Sequence, residues 1–511
     1  MQPLAQLSRD LPEEVTFAAI TDVLADKYTL VERSVQTSRV TFLDSFDWRL
    51  FQKKHLCRRQ DEILLLTDFS DRPQAPPLRL SRRKQLPRFA KDFPKSPLRH
   101  ALEKLSGIRA LLPQADFTQT TREIQVLNKD EKATARILFI ELDLDNFGKI
   151  RFLQLHEIRG YNKWFLKLSR DLAAFGTPQP ATGTHILKSA LAAAGRAPLD
   201  YSPAFFVPLH PEEKACSAVK KIYRNLLRAM LVNEPGIIDD LDSEFLHDFR
   251  VAVRRTRSGL TLIKNVLEPE ISTRFKEEFR YIGRFTGPVR DLDVYLLMED
   301  NYKARLPEHL QEGLHYFFED LAKRRRFEQK KLVRTLGSPR YKKIINDWAH
   351  YLEQDDPPET ANALVPVAKP ANRIIFKRFK RVLADGAAIT PGSPDEDLHR
   401  LRIQGKKLRY CLEFFSSLYP ERDMKKLIKQ LKELQNNLGD FNDLSVQQEM
   451  LQQYLAGVKP GTIKSRKLSA AIGGLLTNLY HEHKQVRSHF EEHFKRFAAR
   501  ENVRLYKKIF G

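Results

Sequence analysis

Residues 247–257, HDFRVAVRRTR, and 399–409, HRLRIQGKKLR, repeat one pattern of histidine, arginine and lysine at a constant offset of 152 positions (399 minus 247). The same offset pairs Leu260 with Leu412, Gly287 with Gly439, Asp291 with Asp443, Leu292 with Leu444 and Val294 with Val446. A register held over this length predicts a duplicated unit whose two copies each supply one basic helix.

At ~100° per residue, the first, fourth, eighth and eleventh positions of each stretch fall within about 80° of one another around a helix. They are His247, Arg250, Arg254 and Arg257 in the first copy, and His399, Arg402, Lys406 and Arg409 in the second. The adjacent sector carries Phe249, Val253, Leu260 and Ile263, and in the second copy Leu401, Leu408, Leu412 and Phe415. The basic row therefore borders the core, whereas solvated charges usually lie opposite the apolar face. Four such groups stacked along roughly 15 Å of helix repel one another unless an anion neutralises them. A linear polyanion would satisfy the row. Arginine suits phosphate through its planar two-pronged fork, and lysine acts as a compact point charge. His247 and His399 would add pH-dependent affinity as ligand contacts; the plainer alternative is that each satisfies backbone or a neighbouring carboxylate. Arg255 and Lys407 sit about 80° off the row, as flanking contacts or solvated charges.

The chain of 511 residues has a net charge of +22, with 87 Lys and Arg against 65 Asp and Glu. That balance favours polyanionic partners without naming one. Hydrophobic residues make up 42% and charged residues 30%, a globular composition long enough for two or three domains. No window approaches the ~18 apolar residues of a membrane helix. The stretch MQPLAQLSRDLPEE has no secretory character, so a cytosolic protein with no membrane partner is expected. Cys57, Cys216 and Cys411 are too few and too scattered for a disulfide framework or a Cys-based zinc site, and read as buried small hydrophobes.

Residues 1–195 read as an α+β domain. VTFLDSFDWRLF (40–51) and EILLLTDF (62–69) are β-like, and 121–145 forms a hairpin around Asn128-Lys129-Asp130-Glu131. SPLRHALEKLSGIRALL (96–112) is a helix with a Ser-Pro start, and another helix spans roughly 160–174. A Pro-containing connection (196–213) leads to an all-α domain (214–500) with halves 214–354 and 370–500, joined by the Pro-rich segment 355–369. Ser393-Pro394-Asp395-Glu396 supplies an N-cap, a first-turn proline and acidic residues ahead of the second basic helix. The shared segments GPVRDLDV (287–294) and GDFNDLSV (439–446) are read as turns. Their Asp291 and Asp443 are expected to orient the basic side chains or to cap the next helix.

At these residues the chain resembles the CHAD family, the conserved histidine α-helical domain. HxxRxxxRRxR, HxxRxxxKKxRY, RDLDV and LQNNLGDFNDL (434–444) match its two halves in order, over about 212–500. The resemblance implies two antiparallel helical bundles related by a pseudo-twofold axis, with basic residues of both lining a central cleft or pore. It implies binding of inorganic polyphosphate, with Arg290 joining the two rows, Arg255 and Lys407 as contacts, and localisation on polyphosphate granules. It implies a binding module with no cofactor. The N-terminal part is similar to the CYTH family, a β tunnel, through FLDSFDWRL (42–50) and RGYNKWFLKLSRDL (159–172). It departs from that family in lacking the ExExK strand; VERSVQT (31–37) has no spaced glutamates, so a divalent ion lacks its usual ligands there. A degenerate scaffold or an accessory anion site, without catalytic residues, is expected.

Two further signals carry less weight. His489, Glu492 and His493 match an inverted zincin pattern, but few residues remain to complete a metal site. The run LAKRRRFEQKK (321–331) either widens the polyanion surface or is a solvated helix face. The alternatives to polyphosphate binding are a general nucleic-acid or polyanion-binding protein and a metal-dependent triphosphatase or polyphosphatase in the N-terminal domain. Against nucleic acid, the chain has no zinc finger, RNP-like strand or recognition-helix motif.

Overall fold

The computed structural model describes residues 6–81, 86–180, 182–355 and 358–511. Residues 1–5, 82–85 and 181 of the expected first domain, and 356–357 of the expected inter-half segment, lie outside the described residues. The chain divides into two compact units, Met1–Pro203 and Ala204–Gly511.

The first unit is built on strands β1 (Gln6–Leu11), β2 (Thr29–Asp44), β3 (His55–Gln60), β4 (Ile63–Asp68), β5 (Leu78–Arg79), β6 (Leu112–Leu127), β7 (Ala133–Asp143), β8 (Lys149–Glu157) and β9 (Thr177–Gln179). They pair antiparallel in the order β5-β4-β3-β2-β6-β7-β8-β1-β9, and among the described residues no ladder joins β5 to β9 to close a tunnel. Helices α1 (Phe17–Ala25), α2 (Arg49–Gln52), α3 (Pro97–Ser106), α4 (Asn162–Asp171) and α5 (Gly183–Ala193) complete the unit. The β6–β7 hairpin turns where Asn128 Oδ1 accepts from the backbone N–H of Asp130 and Lys132. Alternate residues Ile124, Val126, Ala135 and Ile137 then face one buried cluster. Ser96 caps α3 through its hydroxyl, with Pro97 at the first helical position. VERSVQT lies within β2, where Glu32 pairs with Arg122 at 3.3 Å.

The acidic residues of FLDSFDWRL turn inward. Asp44 is buried and accepts from the backbone N–H of Ser45, Leu50 and Phe51; burial pushes its carboxyl up to about 6. Asp47 meets Arg49 at 3.0 Å and the buried Arg109 at 3.4 Å. This pair of carboxylates fixes the strand-to-helix turn from β2 into α2, because backbone donors that lose water there need an acceptor.

The second unit is helical: α6 (Ala215–Ile238), α7 (Ser243–Leu262), α8 (Pro269–Phe285), α9 (Gly287–Leu297), α10 (Glu299–Ala304), α11 (Glu308–Leu336), α12 (Pro339–Glu353), α13 (Ala368–Ala387), α14 (Asp395–Phe414), α15 (Glu421–Ala456), α16 (Ile463–Ser488), α17 (Phe490–Phe497) and α18 (Arg500–Phe510). The unit runs past the expected end at 500: Tyr506 of α18 is buried and stacks on Phe379 of α13 at 3.7 Å. Moving α7 by the repeat offset of 152 gives 395–414, the bounds of α14. The eight apolar residues beside the basic rows are all buried.

The copies differ after their basic helix. In the first, Pro288 at the start of α9 has no N–H to continue α8, so two helices meet at Thr286. In the second, Asp440 stands at that position and α15 runs unbroken for 36 residues. Neither expected turn forms, since GPVRDLDV lies within α9 and GDFNDLSV within α15, and Asp443 caps nothing. Asp291 caps nothing either, because α9 already begins at Gly287 with Thr286 at the N-cap. Ser393 is likewise displaced from the expected cap: Pro394 is the N-cap residue of α14, and Ser393 Oγ accepts from Thr390 N. Asp395, Glu396 and Asp397 do occupy the first turn.

The halves are joined through a common core, in which Tyr302, Leu314 and Phe317 pack with Leu451, Ile472 and Leu475. Gly313 lets α11 approach α16, since a Cβ there would meet Lys467 O at 2.2 Å. All three cysteines are buried and free. No described helix is long and apolar enough to cross a membrane.

Candidate functional site

Helices α7 and α14 bring the two rows against each other. Arg254 Nε donates to the hydroxyl of Tyr410 at 2.8 Å, across the copies. Arg402 and Lys406 both feel the charge of Arg254, and Lys406 also that of Arg409. Lys406 makes no hydrogen bond or ion pair among the described residues. Burial, then repulsion from Arg402 and Arg254, brings its ammonium down to about 8. Four cations from two copies thus crowd one place, and Lys406 has no acceptor there.

Each remaining residue is held differently. Arg250 Nη1 donates to Gly283 O at 2.9 Å and Thr286 Oγ1 at 2.8 Å, in the last turn of α8 where carbonyls lack helical partners. Burial draws the Arg250 guanidinium below its usual range, as it does Arg257 and Arg402, although arginine stays charged. Arg257 lies against Gly283, with Arg280 and Arg284 of α8 as like-charged neighbours, and its Nε is buried without a partner. Arg290 donates to Ser243 O at 3.2 Å and stands 3.6 Å from Glu244. Arg402 Nη2 meets the exposed Asp443 at 3.3 Å. Asp291 faces Arg250 and Arg290, so both aspartates stand beside basic side chains. His399 is exposed, and its Nδ1 lies 2.8 Å from Oδ1 of the buried Asn442. His247 is half-buried on the first turns of α7.

Two residues leave the cluster. Arg255 is paired with Glu413 at 2.7 Å, both nearly buried, and its guanidinium lies over Phe205. Glu413 also accepts from Arg409 Nε at 2.7 Å, so one carboxylate ties the end of α7 to that of α14. Lys407 faces Arg378 of α13 instead of the row.

Tyr410, Glu413, Arg280 and Arg284 were not marked by the repeat. Tyr410 and Glu413 follow Lys406 and Arg409 by one helical turn, a spacing visible in the sequence. Arg280 and Arg284 reach the row only through the packing of α8 on α7.

The run 321–331 behaves otherwise. Lys323, Arg324 and Lys331 pair with Glu319, Asp320 and Glu328, and Arg325 pairs with the buried Asp293 at 2.9 Å and with Asp240. Local carboxylates neutralise these four cations of the run. Glu492 pairs with Arg496, and among the described residues no group of three His, Cys, Asp or Glu is placed to hold a metal ion.

Residues 221–452 match the family model of the CHAD domain. No curated protein matches the chain. Among solved structures, the CHAD domain from the plant Ricinus communis is 25% identical, with a TM-score of 0.47 over 57% of this chain and 95% of that one. PptA from Streptomyces chartreusis is 16% identical, with a TM-score of 0.44 over 55% of this chain and 100% of that one. HpAC1 from Hippeastrum, described as a candidate adenylyl cyclase with a dominant triphosphatase activity, is 14% identical, with a TM-score of 0.25 over 38% of this chain and 98% of that one.

Proposed function

We propose that this chain, whose residues 221–452 form a CHAD domain, binds inorganic polyphosphate along the joined rows of α7 and α14. The observation that carries the reading is the meeting of Arg254 with Arg402, Lys406 and Arg409 at a half-buried place, where burial first and then the neighbouring cations bring Lys406 down to about 8. An anion laid along the row relieves that repulsion, and binding energy comes from Lys406, which has no acceptor among the described residues, and from cations whose carboxylate partners match them only in part. His247, Arg250, Arg257, Arg290 and His399 extend the row on either side, while Arg255 and Lys407 act at its margins. Tyr410, the aromatic residue within the row, is buried and stacks on Phe414, which leaves bases no platform there and favours a bare phosphate chain over nucleic acid. The affinity would hold the protein on polyphosphate granules. The function rests on the helical unit and needs no catalytic step.

Replacing Arg254, Arg257, Lys406 and Arg409 together by Ala tests the reading by filter binding of long-chain polyphosphate. Each lost charge-assisted contact is worth about 1.5–3 kcal/mol, so retention should fall by at least about 100-fold with helix content intact. Unchanged affinity would remove the row from the site. Equal competition by single-stranded DNA or RNA would make it a general polyanion site.

A further inference from the structure

The segment joining the halves does more than connect them. Thr360 Oγ1 donates to Val266 O at 3.2 Å, Asn362 N to Asn265 O at 2.8 Å and Asn362 Nδ2 to Lys264 O at 3.3 Å. Asn265 adopts a left-handed φ of 58°, which turns the chain sharply just after α7. These bonds fix a floor beneath α13 and leave a pocket of about 300 Å³ there. Lys264, Asn265, Asn362, Arg373, Lys377 and Arg378 line it together with three apolar residues, and among the described residues no carboxylate does.

The four cations differ from most of those around them. Arg381, one turn further along α13, pairs with Asp385; Lys425 pairs with Glu421 and Lys495 with Glu491 in the same way. Lys264, Arg373, Lys377 and Arg378 make no side-chain hydrogen bond or ion pair among the described residues. Nor does the repeat account for them, because the offset of 152 places Lys221, Asn225 and Leu226 opposite Arg373, Lys377 and Arg378, and Lys221 is paired with Glu213. The positive field extends beyond the pocket: burial and then Arg378 hold Lys407 of α14 below its usual range.

We infer that this pocket is a second anion site, separate from the α7–α14 row, that takes a compact oligophosphate group. Four cations on a fixed floor without aromatic walls suit a short, highly charged anion, and the volume limits it to a few phosphate units. A triphosphate group is the shared chemistry, whether carried by inorganic tripolyphosphate or by a nucleotide.

The test is calorimetric titration of tripolyphosphate at low salt into the full chain carrying Arg254→Ala, Arg257→Ala, Lys406→Ala and Arg409→Ala together, which silences the row. One equivalent should bind, and adding Arg373→Gln and Lys377→Gln should weaken it by at least about tenfold, as loss of two phosphate-facing cations requires. Both added positions are exposed, and an unchanged far-UV melt checks the fold. Binding that stays within twofold after those two substitutions overturns the inference. With the row intact, Arg373→Gln/Lys377→Gln should retain long-chain polyphosphate; if it is lost, the pocket belongs to the row and the separate site falls. ATP bound as tightly as tripolyphosphate supports a nucleotide-borne group, and ATP bound at least tenfold more weakly supports the inorganic anion.

Discussion

Arg250 and Arg402 occupy the same position of the repeat, and their guanidinium groups have different partners. In the first copy the break between α8 and α9 offers Gly283 O and Thr286 Oγ1, and Arg250 takes both. In the second copy Gln435 and Leu438 stand at those positions inside an unbroken α15, and Arg402 meets only the exposed Asp443, at 3.3 Å. Pro288 where the other copy has Asp440, and Thr286 where it has Leu438, separate the two outcomes. The first copy uses its arginine to hold two helices together, and the second leaves its half-buried Lys406 without an acceptor among the described residues. Arg250 thus carries a structural tie in addition to its proposed place in the row.

The strongest way to break this contrast is Lys406→Glu. Reversing the least-matched charge should weaken polyphosphate binding by about 100-fold, given 1.5–3 kcal/mol per charged contact. Fluorescence anisotropy with end-labelled polyphosphate reads it, and a change below threefold would exclude Lys406 from contact. A pH series comes next. Lys406 loses its proton near 8 in the free protein, so its attraction for an anion is present below that pH and fades above it. Affinity should decline by about tenfold between pH 7 and 9.5, and Lys406→Arg should flatten the profile. Without ligand the sign reverses. Because the folded form gives up this proton more readily than the unfolded chain, stability gains from Lys406 as pH rises from about 8 towards its ordinary range.

Thr286→Val probes the other side of the comparison. It removes an acceptor from Arg250, and urea unfolding should show a loss of about 1–2 kcal/mol with binding altered little. The same stability in both proteins would mean that Arg250 is not a structural tie. The smallest effect is expected from Glu413→Gln, which frees Arg255 and Arg409 from their shared carboxylate. Affinity should rise about threefold, as expected for relief of one nearby negative charge. A decrease would show that Glu413 holds the arginines in their binding orientation.

Much of this was legible from spacing. The offset between copies relates the bounds of α7 to those of α14, and the sector rule picked out eight residues beside the rows that are all buried. The error at GPVRDLDV and GDFNDLSV came from reading each leading glycine as a turn, whereas the break lies at Thr286, before the first segment. Glycine weakens a helix by only about 1 kcal/mol, and the packing of α15 outweighs that, whereas proline removes a hydrogen bond outright. Asp293 was passed over beside Asp291, although it is the buried carboxylate that anchors Arg325. Nothing local distinguishes the two, because burial there depends on where α11 packs. The cations of α13 were hidden by reading the segment before them as a linker, when its backbone in fact builds the floor of a pocket.

The central claim is that both copies build one site. Calorimetric titration of polyphosphate into the unaltered chain, into Arg254→Ala/Arg257→Ala and into Lys406→Ala/Arg409→Ala tests it directly. The same stoichiometry is expected in all three, with a weaker affinity in each variant. Stoichiometry halved in either variant, with the remaining affinity unchanged, would show two independent sites and contradict it.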